Sequence, residues 1–275
     1  MQWFRSWTTP AHAGGMGQTG LLQSVERAMR VLDHIAAAPG PVPAKSVAKA
    51  LGLALPTTYH LLTTLVNGGY LVHLPEDKAY ALGHRVDDLA RGLRRQIAVP
   101  PEVGRVAEVT HREAGAAAYY AALRDTEMIV AHVAECHLHP RIRTLDVGFH
   151  QAPHATAFGK LMLASLDPQD AADVLEHTGT PPVTADTVTD RRLLRRQFEQ
   201  VRATGLAVEV DEFQSELSCM AAPVTDAVGR FVGSVAISMP TAALRERRWC
   251  VERAVRLGAV RATRAVALAS AARRA

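Results

Sequence analysis

The sequence predicts an α+β protein in two parts: a small helical segment closed by a β-hairpin, then a larger segment built on a mostly antiparallel sheet. Three observations predict it. Between residues 24 and 82, apolar residues recur at three- and four-residue steps in three short stretches and then alternate in two. Pro100-Pro101 breaks the chain soon afterwards. Beyond that break, strand-like and helix-like stretches follow one another without the regular βαβ alternation of a parallel sheet. The 275 residues suffice for one large domain or two of ordinary size, and a 48% hydrophobic content allows a substantial buried core.

Residues 24 to 38, SVERAMRVLDHIAAA, form the first helix, with Ser24 as the expected N-cap. Val25, Ala28, Met29, Leu32, Ile35 and Ala36 make its apolar face, and PGPVP at 39 to 43 ends it. A second helix covers 44 to 53 with Val47, Ala48 and Leu51 inward, and Gly52 is placed for the left-handed conformation that closes helices. Pro56 opens a third helix, favourable in a first turn, and Gly68-Gly69 stops it. Leu61, Leu62, Leu65 and Val66 face inward, which leaves Thr57, Thr58, His60, Thr63 and Thr64 outward. YLVHL, a polar turn at Pro75-Glu76-Asp77-Lys78 and AYAL then make a hairpin.

This order of elements is that of a winged helix-turn-helix, and a generic three-helix bundle with a hairpin is the plainer alternative. Small hydroxyls and a histidine on one face of a short helix suit a DNA major groove, where threonine offers hydrogen bonds and a methyl group. Lys45, Lys49 and Lys78 are placed for phosphate contacts. The stretch 84 to 99 is an amphipathic linker helix, either solvated or pairing between subunits.

In the second half, 101 to 114 are helical and 116 to 134 form two strands around Arg124-Asp125. Helices follow at 154 to 166, 171 to 179 and 190 to 205. Strands come at 206 to 213, 217 to 226 and 230 to 240, with Gly229 turning the last two, and a helix over 241 to 272 closes the chain.

A net charge of +4, with basic clusters at Arg191, Arg192, Arg195 and Arg196 and at Arg273 and Arg274, allows an anionic partner without demanding one. Cys136, Cys219 and Cys250 include no C-x-x-C pair, so neither a disulfide framework nor a structural zinc site is expected. His132, Cys136, His137 and His139 match no closed zinc spacing, and strand alternation would split them between faces; no metal or cofactor is expected. No stretch approaches the roughly 20 apolar residues that span a bilayer. Residues 1 to 20 lack the apolar run of a signal peptide and are expected to be a disordered extension, with Met16 an alternative start. A cytoplasmic location follows from that reading.

Three ordered motifs give the chain, from about residue 21 to its end, a resemblance to the IclR family of bacterial transcriptional regulators. They are LLTTLVNGGYL at 61 to 71; Gly148 followed by Pro153, His154, Ala155, Thr156, Ala157, Gly159 and Lys160; and Glu212 followed by Cys219, Ala221, Ala222, Pro223 and Val224. The resemblance implies a winged helix-turn-helix domain at 21 to 83, the linker helix at 84 to 99 and an effector domain with a GAF-like sheet at 100 to 275. It implies double-stranded operator DNA as partner, with Thr57, Thr58, Tyr59, His60 and Thr64 beside the three lysines as the DNA-binding set. Two-fold dimers or tetramers are expected, because one winged helix reads few base pairs; the helices at 24 to 38 and 84 to 99 offer apolar stripes for pairing.

The resemblance also implies a small carboxylate or aromatic acid as effector, in a pocket lined by Ala157, Phe158, Glu209, Cys219 and Ser238. A helix beginning near Ala157 would offer backbone N–H groups to a carboxylate, whereas Glu209 is unfavourable beside an anion and Phe158 narrows the space. Two departures stand out. His60 occupies the place of a frequent family arginine in the recognition helix, and Glu216 that of a common glycine before the Cys219 strand. A thiol hydrolase built from Cys219, His154 and Glu212 is not expected, since Cys219 lies mid-strand rather than at a helix N-terminus. DNA binding without an effector would leave the second domain unexplained.

Overall fold

The structure, a computed structural model, describes residues 22–124, 127–142, 145, 147–149 and 152–272. The expected N-terminal extension, Asp125 and the pair Arg273 and Arg274 lie outside the described residues. Two compact units divide the chain between Gln96 and Ile97.

The N-terminal unit runs α1 (Gln23–Ala36), β1 (Val42–Pro43), α2 (Ala44–Leu51), α3 (Leu55–Asn67), β2 (Leu71–Leu74), β3 (Ala79–Leu82) and most of α4 (His84–Ile97). Leu22, not Ser24, is the N-cap of α1, and it supplies no side-chain cap. Nor does the expected apolar face of α1 pack as a whole. Val31 and Ile35 enter the core with Leu62, Leu65, Leu71 and Tyr80, and Ala28 and Leu32 are half-buried. Val25 and Met29 stay 45% and 59% exposed beside Leu22. The helix carries two apolar stripes, and the small core beneath accommodates only one. The strand β1 went unpredicted because prolines flank Val42; it pairs with β3 at the sheet edge, where a missing N–H is tolerated. Gly52 does take the left-handed conformation, φ 65, as the turn from α2 into α3 requires.

The C-terminal unit holds α5 (Pro101–Ala114), β4 (Ala117–Arg124), β5 (Glu127–Ala134), β6 (Gly148–Phe149), α6 (Ala157–Ser165), α7 (Pro168–Thr178), α8 (Arg191–Thr204), β7 (Ala207–Val210), β8 (Leu217–Thr225), β9 (Phe231–Pro240) and α9 (Thr241–Ala272). Its six strands lie in the order β6-β5-β4-β9-β8-β7, every neighbouring pair antiparallel. The alternation of strand side chains sends Tyr120, Met220, Val235 and Ile237 to a core shared with α5 and α9. Tyr119, Cys219, Ala221 and Ala236 go to the opposite core, shared with α6, α7 and α8. Close approach of α9 depends on Gly258, where a Cβ would meet Thr110 and Val235. At Arg247 the backbone of α9 leaves helical geometry, with φ −111 and ψ 17. Among the described residues no helix is long and apolar enough to cross a membrane.

Candidate nucleic-acid interface and ligand site

The interface candidate is built on α3. Pro56 sits in its first turn, and Leu62 and Leu65 hold it to the core. The opposite face presents Tyr59, His60, Thr63 and Thr64, all exposed, while Thr57 is half-buried. Thr58 does not face outward as expected. It is fully buried, and its hydroxyl donates to the Ala54 carbonyl at 3.1 Å. A threonine is short enough to fold its hydroxyl back onto the preceding turn, so its polarity does not force it outside. Thr64 likewise donates to the His60 carbonyl at 2.8 Å, which leaves its oxygen and methyl group for a partner. Lys45 and Lys49 are exposed on α2, and Lys78 stands at the hairpin tip with φ 48.

In the C-terminal unit, strand register decides the site. Glu209 on β7 lies opposite Cys219 on β8, Cys219 opposite Ser238 on β9, and Ser238 opposite Ala117 on β4. Directly opposed residues project to one face, so three expected lining residues form a single row across the sheet. Ala157 and Phe158 open α6, whose N-cap Thr156 accepts a hydrogen bond from the Gly159 amide at 3.2 Å. Both belong to the packed core that includes Cys219 and Tyr119.

Glu209 is fully buried, and its Oε2 accepts from the amides of Glu212 (3.0 Å) and Phe213 (3.4 Å). Oε1 has no hydrogen-bond partner of good geometry among the described residues, although the Cys219 thiol is close enough to favour ionisation. Burial wins and raises the carboxyl to about 7, so Glu209 is partly protonated at neutral pH. Burial, and then Glu209, push the Cys219 thiol well above its usual range, which makes it a poor nucleophile.

Four polar side chains that the motifs contained, or that alternation hid, complete this region. Lys160 and Glu212 form an ion pair at 1% and 6% side-chain exposure. Burial pulls the Lys160 ammonium down, and Glu212 opposes that pull. His154 ties its loop to Pro181 through Nε2 at 3.0 Å, and burial lowers its pKa, which suits a structural role. Tyr119 accepts from the Ile142 amide at 3.1 Å and lies 2.9 Å from the Ser238 hydroxyl, its phenol pushed up to about 12 by burial. Tyr119 was missed because β4 reads as two adjacent tyrosines, and nothing local says which one faces Ser238.

A cavity of about 630 Å³ opens where β4 begins and β9 ends. Of the five expected lining residues only Ser238 reaches it; Ala157, Phe158, Glu209 and Cys219 are enclosed in the core. Arg141, Ile142, Gln214, Leu217 and Arg247 are among its other walls. Glu216 takes φ 62, a conformation that favours glycine, just ahead of β8. No three His, Cys, Asp or Glu side chains converge to hold a metal among the described residues.

Sequence models of two domains match the chain: "IclR helix-turn-helix domain" over residues 24–75 and "Bacterial transcriptional regulator IclR C-terminal" over 101–264. The transcriptional regulator BhcR of Paracoccus denitrificans is 28% identical over 243 residues, covering 86% of this chain and 85% of that protein. The transcriptional repressor IclR of Escherichia coli is 25% identical over 232 residues, covering 84% of each. An IclR homologue from Microbacterium hydrocarbonoxydans, solved with 4-hydroxybenzoate, superposes with a TM-score of 0.60 at 22% identity, covering 85% of this chain and 99% of that one.

Proposed function

We propose that this chain, which belongs to the IclR family of bacterial transcriptional regulators, grips its operator as a dimer or tetramer and changes that grip when a small organic acid binds its C-terminal unit. It is a transcriptional regulator with a helix-turn-helix DNA-binding domain and a C-terminal effector-binding domain. The observation that carries the ligand half is the cavity of about 630 Å³ at Ser238, a size suited to a small organic molecule. Ser238 joins that cavity to the row of Cys219 and Glu209, with Ala157 and Phe158 behind them. The homologue that holds 4-hydroxybenzoate supports an aromatic acid as the class of effector.

On DNA, Thr57, Tyr59, His60 and Thr64 take the base edges, and Lys45, Lys49 and Lys78 take phosphates. His60 stands where relatives often carry a permanent, fork-shaped cation, so the preferred operator differs from those of arginine-bearing relatives. Pairing of subunits is supported by Leu22, Val25 and Met29, which line one exposed stripe of α1, and by Leu89, 58% exposed on α4. The protein works in the cytoplasm, where its DNA is.

Selection of bound duplexes from a randomised pool, followed by gel-shift titration with and without 4-hydroxybenzoate or benzoate, tests the reading. The expected product is a two-fold symmetric site with half-sites about 10 base pairs apart. Its affinity should move roughly 5- to 150-fold when the acid is added. A chain that enriches no sequence, sediments only as a monomer, or ignores every acid in the panel contradicts it.

A further inference from the structure

We infer that the groove between α7 and α8 is a docking surface for an acidic amphipathic helix of a partner protein. Arg191, Arg195 and Arg202 pair with its carboxylates, and its apolar stripe lies over Ala172, Leu175 and Phe198. The inference goes beyond the DNA and effector reading and rests on neither.

The three arginines stand at i, i+4 and i+11 of α8, so they share the face that borders the groove. The walls carry these three cations and no anion. The acids close by in sequence are engaged elsewhere. Asp190, the cap of α8, accepts from the amides of Arg192 and Leu193 at 2.7 and 3.0 Å. Asp173 on α7 accepts from the Gln169 side chain at 2.9 Å. No ion pair holds Arg191, Arg195 or Arg202 among the described residues. Arg202 is nonetheless fixed, since its Nη1 donates to the Ala164 carbonyl at 3.1 Å, at the end of α6. Between the arginines and α7 the floor is apolar: Leu175 and Phe198 are buried and Ala172 is half-buried at the lip.

Size decides what fits. The groove encloses about 260 Å³, below the roughly 300–1,000 Å³ of pockets for small organic ligands. Its row of charge, however, runs roughly 16 Å along α8, at 1.5 Å per residue from Arg191 to Arg202. One small anion does not reach both ends of that row. A helix laid along the groove does, because it repeats carboxylates at three- and four-residue steps beside an apolar stripe. A DNA backbone would pair with the arginines but has no apolar stripe for the floor.

Display selection on the whole chain, from a random library of peptides about 18 residues long, tests this, since that length covers the row as a helix. Counter-selection on the Arg191→Gln/Arg195→Gln double variant removes peptides held by basic groups elsewhere. The peptides recovered should carry Asp or Glu at three- and four-residue steps beside Leu or Phe. In fluorescence anisotropy the double variant should weaken them tenfold or more, and the double lysine variant should keep most of the binding. Ala172→Gln adds bulk at the lip without charge and should weaken them several-fold. Circular dichroism melts should show all three variants folded as the native chain. The inference is overturned if no peptide is recovered, or if scrambled peptides of equal charge bind as well. It is overturned equally if inorganic phosphate displaces the peptides at micromolar concentration, which marks a small-anion site. Weaker binding of the selected DNA duplex by the double variant assigns the arginines to DNA phosphates and also overturns it.

Discussion

The two units treat polar side chains in opposite ways. Among the described residues the N-terminal unit buries a single polar side chain, Thr58, and keeps its basic and hydroxyl groups on top of a small apolar core. The C-terminal unit buries His154, Lys160, Glu209, Glu212 and Ser238 within its core. Under the proposed function, stability and recognition in the first unit therefore reside in different residues and separate by mutation. In the second they share residues, so a change meant for the ligand also acts on the fold.

The sharpest test of that contrast is Lys160→Met. It leaves Glu212 buried without its cation, and loss of one member of a buried pair costs about 3–5 kcal/mol. Adding Glu212→Leu should recover most of the loss in urea denaturation, because two apolar side chains need no partner. A single variant as stable as the native chain would mean the pair is solvated, and the contrast between units would collapse.

Next in size is the pH response of Glu209. Folded, its carboxyl sits at about 7 rather than the ordinary 4.5. Between those values the folded chain binds more protons than the unfolded one, so this group makes stability fall as pH rises from 4.5 to about 7. The loss is at most about 3 kcal/mol, since a tenfold change in proton affinity is worth about 1.4 kcal/mol. Glu209→Gln lacks that slope. Unfolding at pH 5 and pH 8 should show the variant gaining on the native chain at the higher pH, and an equal difference at both values would contradict the buried placement.

The smallest effects belong to α3 and should fall on opposite sides. Thr58→Ala should cost about 1 kcal/mol of stability, the worth of one hydrogen bond, and leave operator affinity unchanged. His60→Ala should leave the melting temperature within about a degree or two and weaken the selected operator by roughly 1–3 kcal/mol. If Thr58→Ala weakens DNA binding without destabilising, α3 is rotated about its axis and Thr58 belongs to the DNA-facing side.

Most of the site's parts were visible in the chain as letters, but their geometry was not. The motif around His154 to Lys160 located α6, and the Cys219 and Ser238 segments located β8 and β9. That Glu209, Cys219 and Ser238 stand in one row follows from the register of three strands, which no local pattern encodes. Lys160 lay inside a motif without a role, since its partner Glu212 is 52 residues away. Arg247 carried no signal at all. One arginine among several in a basic helix is ordinarily a solvated one, and its place against Ala114 spans 133 residues.

Local sequence was enough for everything governed by neighbours within a few residues. Helical spacing, proline breaks, the left-handed Gly52 and strand alternation sufficed for helix, helix, turn, helix and hairpin, and for a sheet of antiparallel strands. Long-range packing settled which apolar stripe of α1 goes inside, that Thr58 turns inward, that a strand forms at Val42, and where the cavity lies. The physical reason is the same in each case. Periodicity tells a helix or strand which residues share a face, but burial is a property of what arrives to cover that face, and the covering residues come from elsewhere in the chain.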